Sequence, residues 1–306
     1  MHTPERLYIN DVAPRDGFQN ETTFIPTEKK IAIINQLSRC GLAKIEATSF
    51  TSPRAIPALA DAEAVMHQID RVSGIVYTAL VPNTRGAERA LECALDELNV
   101  VMSVSETHNQ ANLRMTREKS FSQLGDVIGM ATAHQVPVNV SLSTAFGCPM
   151  EGGIAPDEVY AWMDRYAALG VGGITLCDTT GMANPAQVAR IASGAAYRFP
   201  SLEITLHFHN TRGMALANAL AAIESGVLRF DASLGGVGGC PYAPGATGNA
   251  CTEDLVHMFE QMGIETGVDL EALLAIAGQL PEVVGHAVPS YTLKAGTSDR
   301  RYLPLI

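Results

Sequence analysis

Clustered lysines and arginines are scarce in this chain, and the formal net charge is −11. A surface that neutralises phosphates needs grouped cations, so nucleic-acid binding is excluded as the main activity. No run of about 18 apolar residues occurs, which leaves no segment suited to crossing a bilayer as a helix. The first residues, MHTPERLYINDVAPRDG, lack the apolar core of a secretory leader, and a cytoplasmic location is expected. The six cysteines (Cys40, Cys93, Cys148, Cys177, Cys240 and Cys251) lie far apart without a CxxC pair, which argues against a disulfide framework or a structural zinc site. They read as mostly buried thiols of a reducing compartment. No linker rich in proline, glycine or serine breaks the chain, and no low-complexity tract appears. In so acidic a chain, an anionic substrate has to be met by an isolated arginine or a bound metal.

What is present is repetition. Short β-rich apolar runs alternate with longer Ala/Leu-rich stretches of helical period, the pattern of βα units around a parallel sheet. Eight strands are expected, at Leu7–Val12, Ala43–Thr48, Gly74–Ala79, Glu97–Met102, Pro137–Ser143, Gly173–Asp178, Glu203–His209 and Phe230–Leu234. Eight is the number a closed α/β barrel of the TIM, or (β/α)8, type requires, and about 250 residues suffice for it. The 306 residues therefore allow one barrel domain over 1–306, with extra C-terminal helices from about residue 252. Helix starts are signalled by Thr27, by Asn184-Pro185 and by Thr211, and helix ends by Gly41 and Gly226. Apolar periodicity adds helices near Thr252–Met262 and Leu270–Gln279. Between strand eight and these helices, Gly235–Asn249 holds six glycines and two prolines, which excludes regular structure and suits a lid.

In a parallel barrel the functional groups gather at the C-terminal strand ends. Strand one runs out into Asp11-Val-Ala-Pro-Arg15-Asp16-Gly17, strand two carries Glu46, strand six ends at Cys177-Asp178, and strand seven ends at His207-Phe-His209. Strand residues two apart face the same side, about 7 Å apart, so His207 and His209 could converge on one ion or serve as backbone-bonded core histidines. Asp16 offers a hard oxygen ligand, although Asp-Gly is also a common turn pair. Arg15 at a barrel mouth is suited to a carboxylate, a thioester oxygen or an enolate. Glu46, within the apolar run AKIEATSF, needs a partner, and Arg15 is the expected one. Asp178 is either a turn cap or a group that orients a ligating histidine. Cys240 is either a bystander or a proton donor delivered by loop closure.

The stretches DVAPRDGFQNE (11–21), IEATSFTSPRAIPALAD (45–61), FGCPMEG (146–152), CDTTGMANP (177–185), HFHNTRGMALAN (207–218) and GGCPYAPGATGNACTEDLVHM (238–258) resemble the 3-hydroxy-3-methylglutaryl-CoA lyases. These belong to a group of barrel metallolyases that also includes isopropylmalate, homocitrate and citramalate synthases. The resemblance implies a divalent metal (Mg²⁺ or Mn²⁺, with Zn²⁺ as a crystal substitute) held by Asp16, His207, His209 and Asn249. It also implies catalytic roles for Arg15, Asp16, Glu46, His207 and Cys240. Asp11, Gln19, Asp178 and Glu253 fall at supporting positions. The implied reaction cleaves the C2–C3 bond of an acyl-CoA substrate to acetyl-CoA and a keto acid, as in leucine degradation, in a homodimer or larger homo-oligomer. Asp16 or a histidine is the base, and the sequence does not choose between them. The chain reads HFHNTRG and GCPMEG where the family reads HCHDTYG and GCPYEG. Phe208, Asn210, Arg212 and Met150 therefore leave citramalyl-CoA or another 3-hydroxyacyl-CoA as alternative substrates, with Arg212 an added anion contact, and a Claisen-type synthase running the same chemistry toward condensation is a separate alternative.

Overall fold

The computed structural model describes residues 4–239 and 248–301. Eight strands form in it: β1 (Tyr8–Asp11), β2 (Lys44–Ser49), β3 (Val76–Leu80), β4 (Glu97–Ser103), β5 (Val138–Ser143), β6 (Gly173–Asp178), β7 (Glu203–Phe208) and β8 (Arg229–Ala232). They close into a barrel in chain order, every neighbouring pair parallel, with β8 returning to β1. Each lies within two residues of its expected bounds, because helix-covered parallel strands read as continuous apolar runs. Strands β2, β5 and β6 are buried along their whole length.

Some helix starts differ from expectation. Asn184 caps the helix Pro185–Arg198 by accepting from the Gln187 amide at 3.0 Å. Thr27 instead lies inside its helix, Thr27–Leu37, and its hydroxyl donates to Asp61 at 2.7 Å. Thr211 likewise does not cap: the helix Ala215–Glu224 starts after Met214 without a side-chain cap, and the Ala215 amide donates to Asn210 Oδ1 at 3.1 Å. The expected C-terminal helices form at Thr252–Gln261 and Leu270–Ala277, followed by two short ones at Leu280–Val284 and Tyr291–Ala295. Thr252–Gln261 packs onto the barrel, with Phe259 against Phe230 at 5.5 Å between ring centres. Among the described residues no helix is long and apolar enough to cross a membrane.

The barrel interior is polar along much of its depth, where branched apolar layers are the usual filling. At the strand starts Lys44 bonds Glu97 at 2.6 Å, and Arg229 bonds Glu203 at 3.0 Å. Above them, Asn139 donates to Asn99 at 3.0 Å and to Thr175 at 2.9 Å, and Asn99 donates to Glu46 at 2.7 Å. Each of these side chains thus has a partner from another strand, which offsets its desolvation.

Candidate metal centre

Beyond β1 the chain makes a wide turn, Ala13–Gly17, in which the Asp16 and Gly17 amides both point to the Val12 carbonyl, at 2.7 and 3.3 Å. Single turns of this π type recur at functional sites because they re-aim side chains. Asp11 pins the turn from below, accepting from the Ala13 amide at 2.9 Å and the Thr252 hydroxyl at 2.7 Å. Burial pushes its carboxyl up to about 7 despite both bonds. A side chain at Gly17 would lie 2.6 Å from Val237, so glycine lets the loop after β8 press against this turn.

The turn delivers Asp16 to His207 and His209. Ligand atoms from the three lie within 4.8 Å of one another. Asn249 is drawn in by a β-bridge between His209 and Asn249. Its amide nitrogen donates to Asp16 Oδ2 at 2.8 Å and to the Val237 carbonyl at 3.1 Å. With the nitrogen so committed, Asn249 Oδ1 is a buried atom without a partner, and so is His209 Nδ1. A carboxylate, two imidazoles and a carbonyl-type oxygen, two of them carrying orphaned acceptor-capable atoms, form a donor set that fits a divalent cation of the Mg²⁺, Mn²⁺ or Zn²⁺ kind. Gly238, at φ +114°, is required here, since a Cβ would stand 2.6 Å from the Asn249 amide nitrogen.

Electrostatics favour the ligand form of Asp16 and His209. Burial would raise Asp16, but Arg15, His207, His209 and the Asn249 amide together hold it down to about 2. Burial and the neighbouring His207 lower His209 to about 4, which leaves a neutral imidazole at pH 7. His207 is also desolvated, yet Asp231 and Asp16 raise it overall.

Arg15 lies beside this cluster. Its Nε donates to Glu46 Oε2 at 2.6 Å, and its Nη1 to Asp16 Oδ1 at 2.5 Å. The expected Arg15–Glu46 pairing is therefore present. Glu46, raised by burial against the opposing pull of Arg15 and Asn99, is held on its other oxygen by Asn99. Glu253 accepts twice from the Gly235 amide, at 3.1 and 2.9 Å, and so fixes the start of the glycine-rich loop. Gln19 Oε1 is buried and unpartnered. Cys240 lies outside the described residues.

Asp178 caps its own turn, accepting from the Met182 and Ala183 amides at 2.7 and 3.1 Å, and burial raises it to about 6. No hydrogen bond joins it to His207. The carboxylate facing His207 is Asp231 of β8, at 3.4 Å. Sequence reasoning missed both Asp231 and Asn99. The signal was present in each: a polar residue within an apolar strand, the argument that had singled out Glu46.

The family departures divide by position. Phe208 is buried and packs on Phe146, 5.9 Å between ring centres, and Asn210 Oδ1 accepts from the Ala215 amide. Arg212 is exposed and donates through Nη1 to the Thr180 and Gly181 carbonyls at 3.1 and 2.7 Å, which ties two loops together. Met150 is exposed.

With this geometry in place, the family model described as HMGL-like matches residues 6–279. The chain belongs to the HMGL-like family. A hydroxymethylglutaryl-CoA lyase of Bacillus subtilis is 48% identical over 299 residues, covering 98% of this chain and 100% of the relative. An (R)-citramalyl-CoA lyase of Chloroflexus aurantiacus is 39% identical over 302 residues, covering 95% of each. An HMG-CoA lyase of Acinetobacter baumannii, solved in complex with coenzyme A and 3-methylmalate, superposes with a TM-score of 0.93 at 50% identity and 98% coverage of both chains. The Acinetobacter structure thus shares the overall fold.

Proposed function

We propose that this chain is a divalent-metal-dependent carbon–carbon lyase that cleaves 3-hydroxy-3-methylglutaryl-CoA, or a close analogue, to acetyl-CoA and acetoacetate. The observation that supports this most directly is the Asp16–His207–His209 cluster with Arg15 clamped beside it between Asp16 and Glu46. A divalent cation bound there would act as a Lewis acid on the substrate's 3-hydroxyl and carboxylate, lowering the hydroxyl pKa.

The protein's own groups supply the remainder. Asp16, His207, His209 and Asn249 are the proposed ligands. Asp16 or a histidine of the cluster would take the 3-hydroxyl proton, the C3–O bond becomes the ketone of acetoacetate as the C2–C3 bond breaks, and that bond's electron pair moves into the thioester as an enolate, whose oxygen needs a fixed cation. Arg15 is preorganised for that role because Glu46 and Asp16 hold its guanidinium in one orientation. Proton return to C2 then gives the acetyl group. Asp178, with its carboxyl raised to about 6 and Oδ2 unpartnered, is suited to proton exchange near neutral pH. The same reading includes a Mg²⁺ or Mn²⁺ requirement, a homo-oligomer and a cytoplasmic location.

The test is to incubate purified protein and Mg²⁺ or Mn²⁺ with HMG-CoA and with citramalyl-CoA, measuring acetyl-CoA and the keto acid. Preferred cleavage of HMG-CoA supports the proposal, and preferred cleavage of citramalyl-CoA moves the substrate to that of the 39% identical relative. Release of free CoA from acetyl-CoA plus a 2-keto acid, with neither thioester cleaved, would overturn the lyase reading in favour of a synthase.

A further inference from the structure

Asn10, Asp231 and His207 form one rung across three adjacent strands. Asp231 is the register partner of Asn10 on β1 and of His207 on β7. Inward-facing residues at one level of a parallel barrel meet side by side, and here they meet in a defined order. Asn10 Nδ2 donates to Asp231 Oδ1 at 2.8 Å, and the other oxygen, Oδ2, faces His207 Nδ1 at 3.4 Å. On the far side of the ring, His207 Nε2 points toward Asp16, 3.9 Å from Oδ2.

We propose that Asp231 is the positioning residue of the metal centre. It holds the Nδ1–H of His207, so that the Nε2 lone pair faces the cluster of Asp16 and His209. This inference rests on the reading of that cluster as a metal site. A neutral imidazole has one N–H and one lone pair, and the acceptor beside one nitrogen decides which nitrogen ligates. The Asp231 oxygen beside Nδ1 fixes the tautomer and opposes rotation of the ring. Asn10 locks the carboxylate in turn, so the Asp231 rotamer is set before any cation arrives. Asp178, the residue whose position in the sequence suggested this duty, spends one oxygen on two backbone amides instead.

The experiment measures Mn²⁺ affinity by titration calorimetry, and the visible absorption of the Co²⁺-substituted protein, in wild type, Asp231→Ala and Asp231→Asn. The Tm of each metal-free protein is recorded alongside. Asp231→Ala is expected to bind Mn²⁺ about 10- to 100-fold more weakly, the range known for such partners, with a shifted Co²⁺ spectrum. Asp231→Asn is expected to fall between. It keeps an acceptor for His207, and the Asn10 amide can turn to present its unpartnered Oδ1, but the charge is gone. Where Asp231→Ala does not fold, as its metal-free Tm would reveal, a several-fold weakening in Asp231→Asn decides the question. Mn²⁺ affinity equal to wild type in the folded variants would overturn the role of Asp231. A wild-type protein that takes up no Mn²⁺ would instead overturn the metal reading itself.

Discussion

Arg15 and Glu46 meet through a single charge-assisted bond, Nε to Oε2 at 2.6 Å, which fixes the guanidinium edge-on to the Asp16 carboxylate. Neither residue is a ligand in the proposed metal set, so the pair separates binding of the cation from stabilisation of the enolate. Arg15→Gln is expected to keep its metal, by elemental analysis, while turnover falls roughly 100- to 1,000-fold, as for loss of one oxyanion-stabilising donor. Wild-type turnover in this variant would remove Arg15 from the chemistry.

Asn249 and His209 are joined by a β-bridge, and the unpartnered oxygen of Asn249 gives it no structural bond to lose on that side. His209→Ala should therefore abolish stoichiometric metal, and Asn249→Ala should weaken it. Metal content per protein chain, measured after dialysis against a limiting Mn²⁺ concentration, is the check. Full occupancy in His209→Ala would refute the ligand set.

Asn99 is the residue through which the barrel interior reaches Glu46. It donates to Glu46 and accepts from Asn139 and Ser141 at 3.0 and 2.9 Å. Asn99→Leu would leave Glu46 Oε1 and the Ser141 hydroxyl without these bonds, at a cost of about 1 to 3 kcal/mol in urea unfolding. It should also lower turnover about tenfold through a looser Glu46, with metal content unchanged. Unaltered stability would show that the interior network is dispensable.

How much of this could be read in advance depended on the kind of signal. The barrel was legible because eight buried strands leave eight apolar runs, and Asp16, Arg15, His207 and His209 were legible because strand ends carry function. Asn249 came only through the family resemblance, since nothing local announces that a residue after a glycine-rich loop bridges to His209. Asp231 and Asn99 were overlooked because their partners lie 24 and 53 positions away, on other strands. Thr27 marked a helix that does begin there, while Thr211 misled because its helix starts at Ala215 without any side-chain cap.

Asp11 gives a pH signature that is independent of the metal. Its carboxyl is raised from 3.8 to about 7 by burial, so the folded state binds the proton more tightly than the unfolded chain. Stability contributed by the protonated form is complete below about pH 4 and lost as pH rises toward 7. Metal-free wild type should lose roughly 4 kcal/mol relative to Asp11→Asn across that window. Parallel Tm curves for the two proteins would contradict the burial argument.

Arg212 replaces a tyrosine of the family pattern, yet its guanidinium is engaged by two backbone carbonyls. Arg212→Ala should leave the KM for the thioester within about twofold while lowering Tm slightly, as surface changes do. A large rise in KM alone would restore it as a substrate contact.

The hydrogen-bonded filling of the barrel also bears on how such a chain can drift. Asn139, Asn99 and Glu46 satisfy one another across β5, β4 and β2, so replacing any one strands its neighbours, and the penalties do not add. Accepted changes in the barrel's interior should therefore arrive as matched sets. Ancestral intermediates with a single exchange would be the fragile ones.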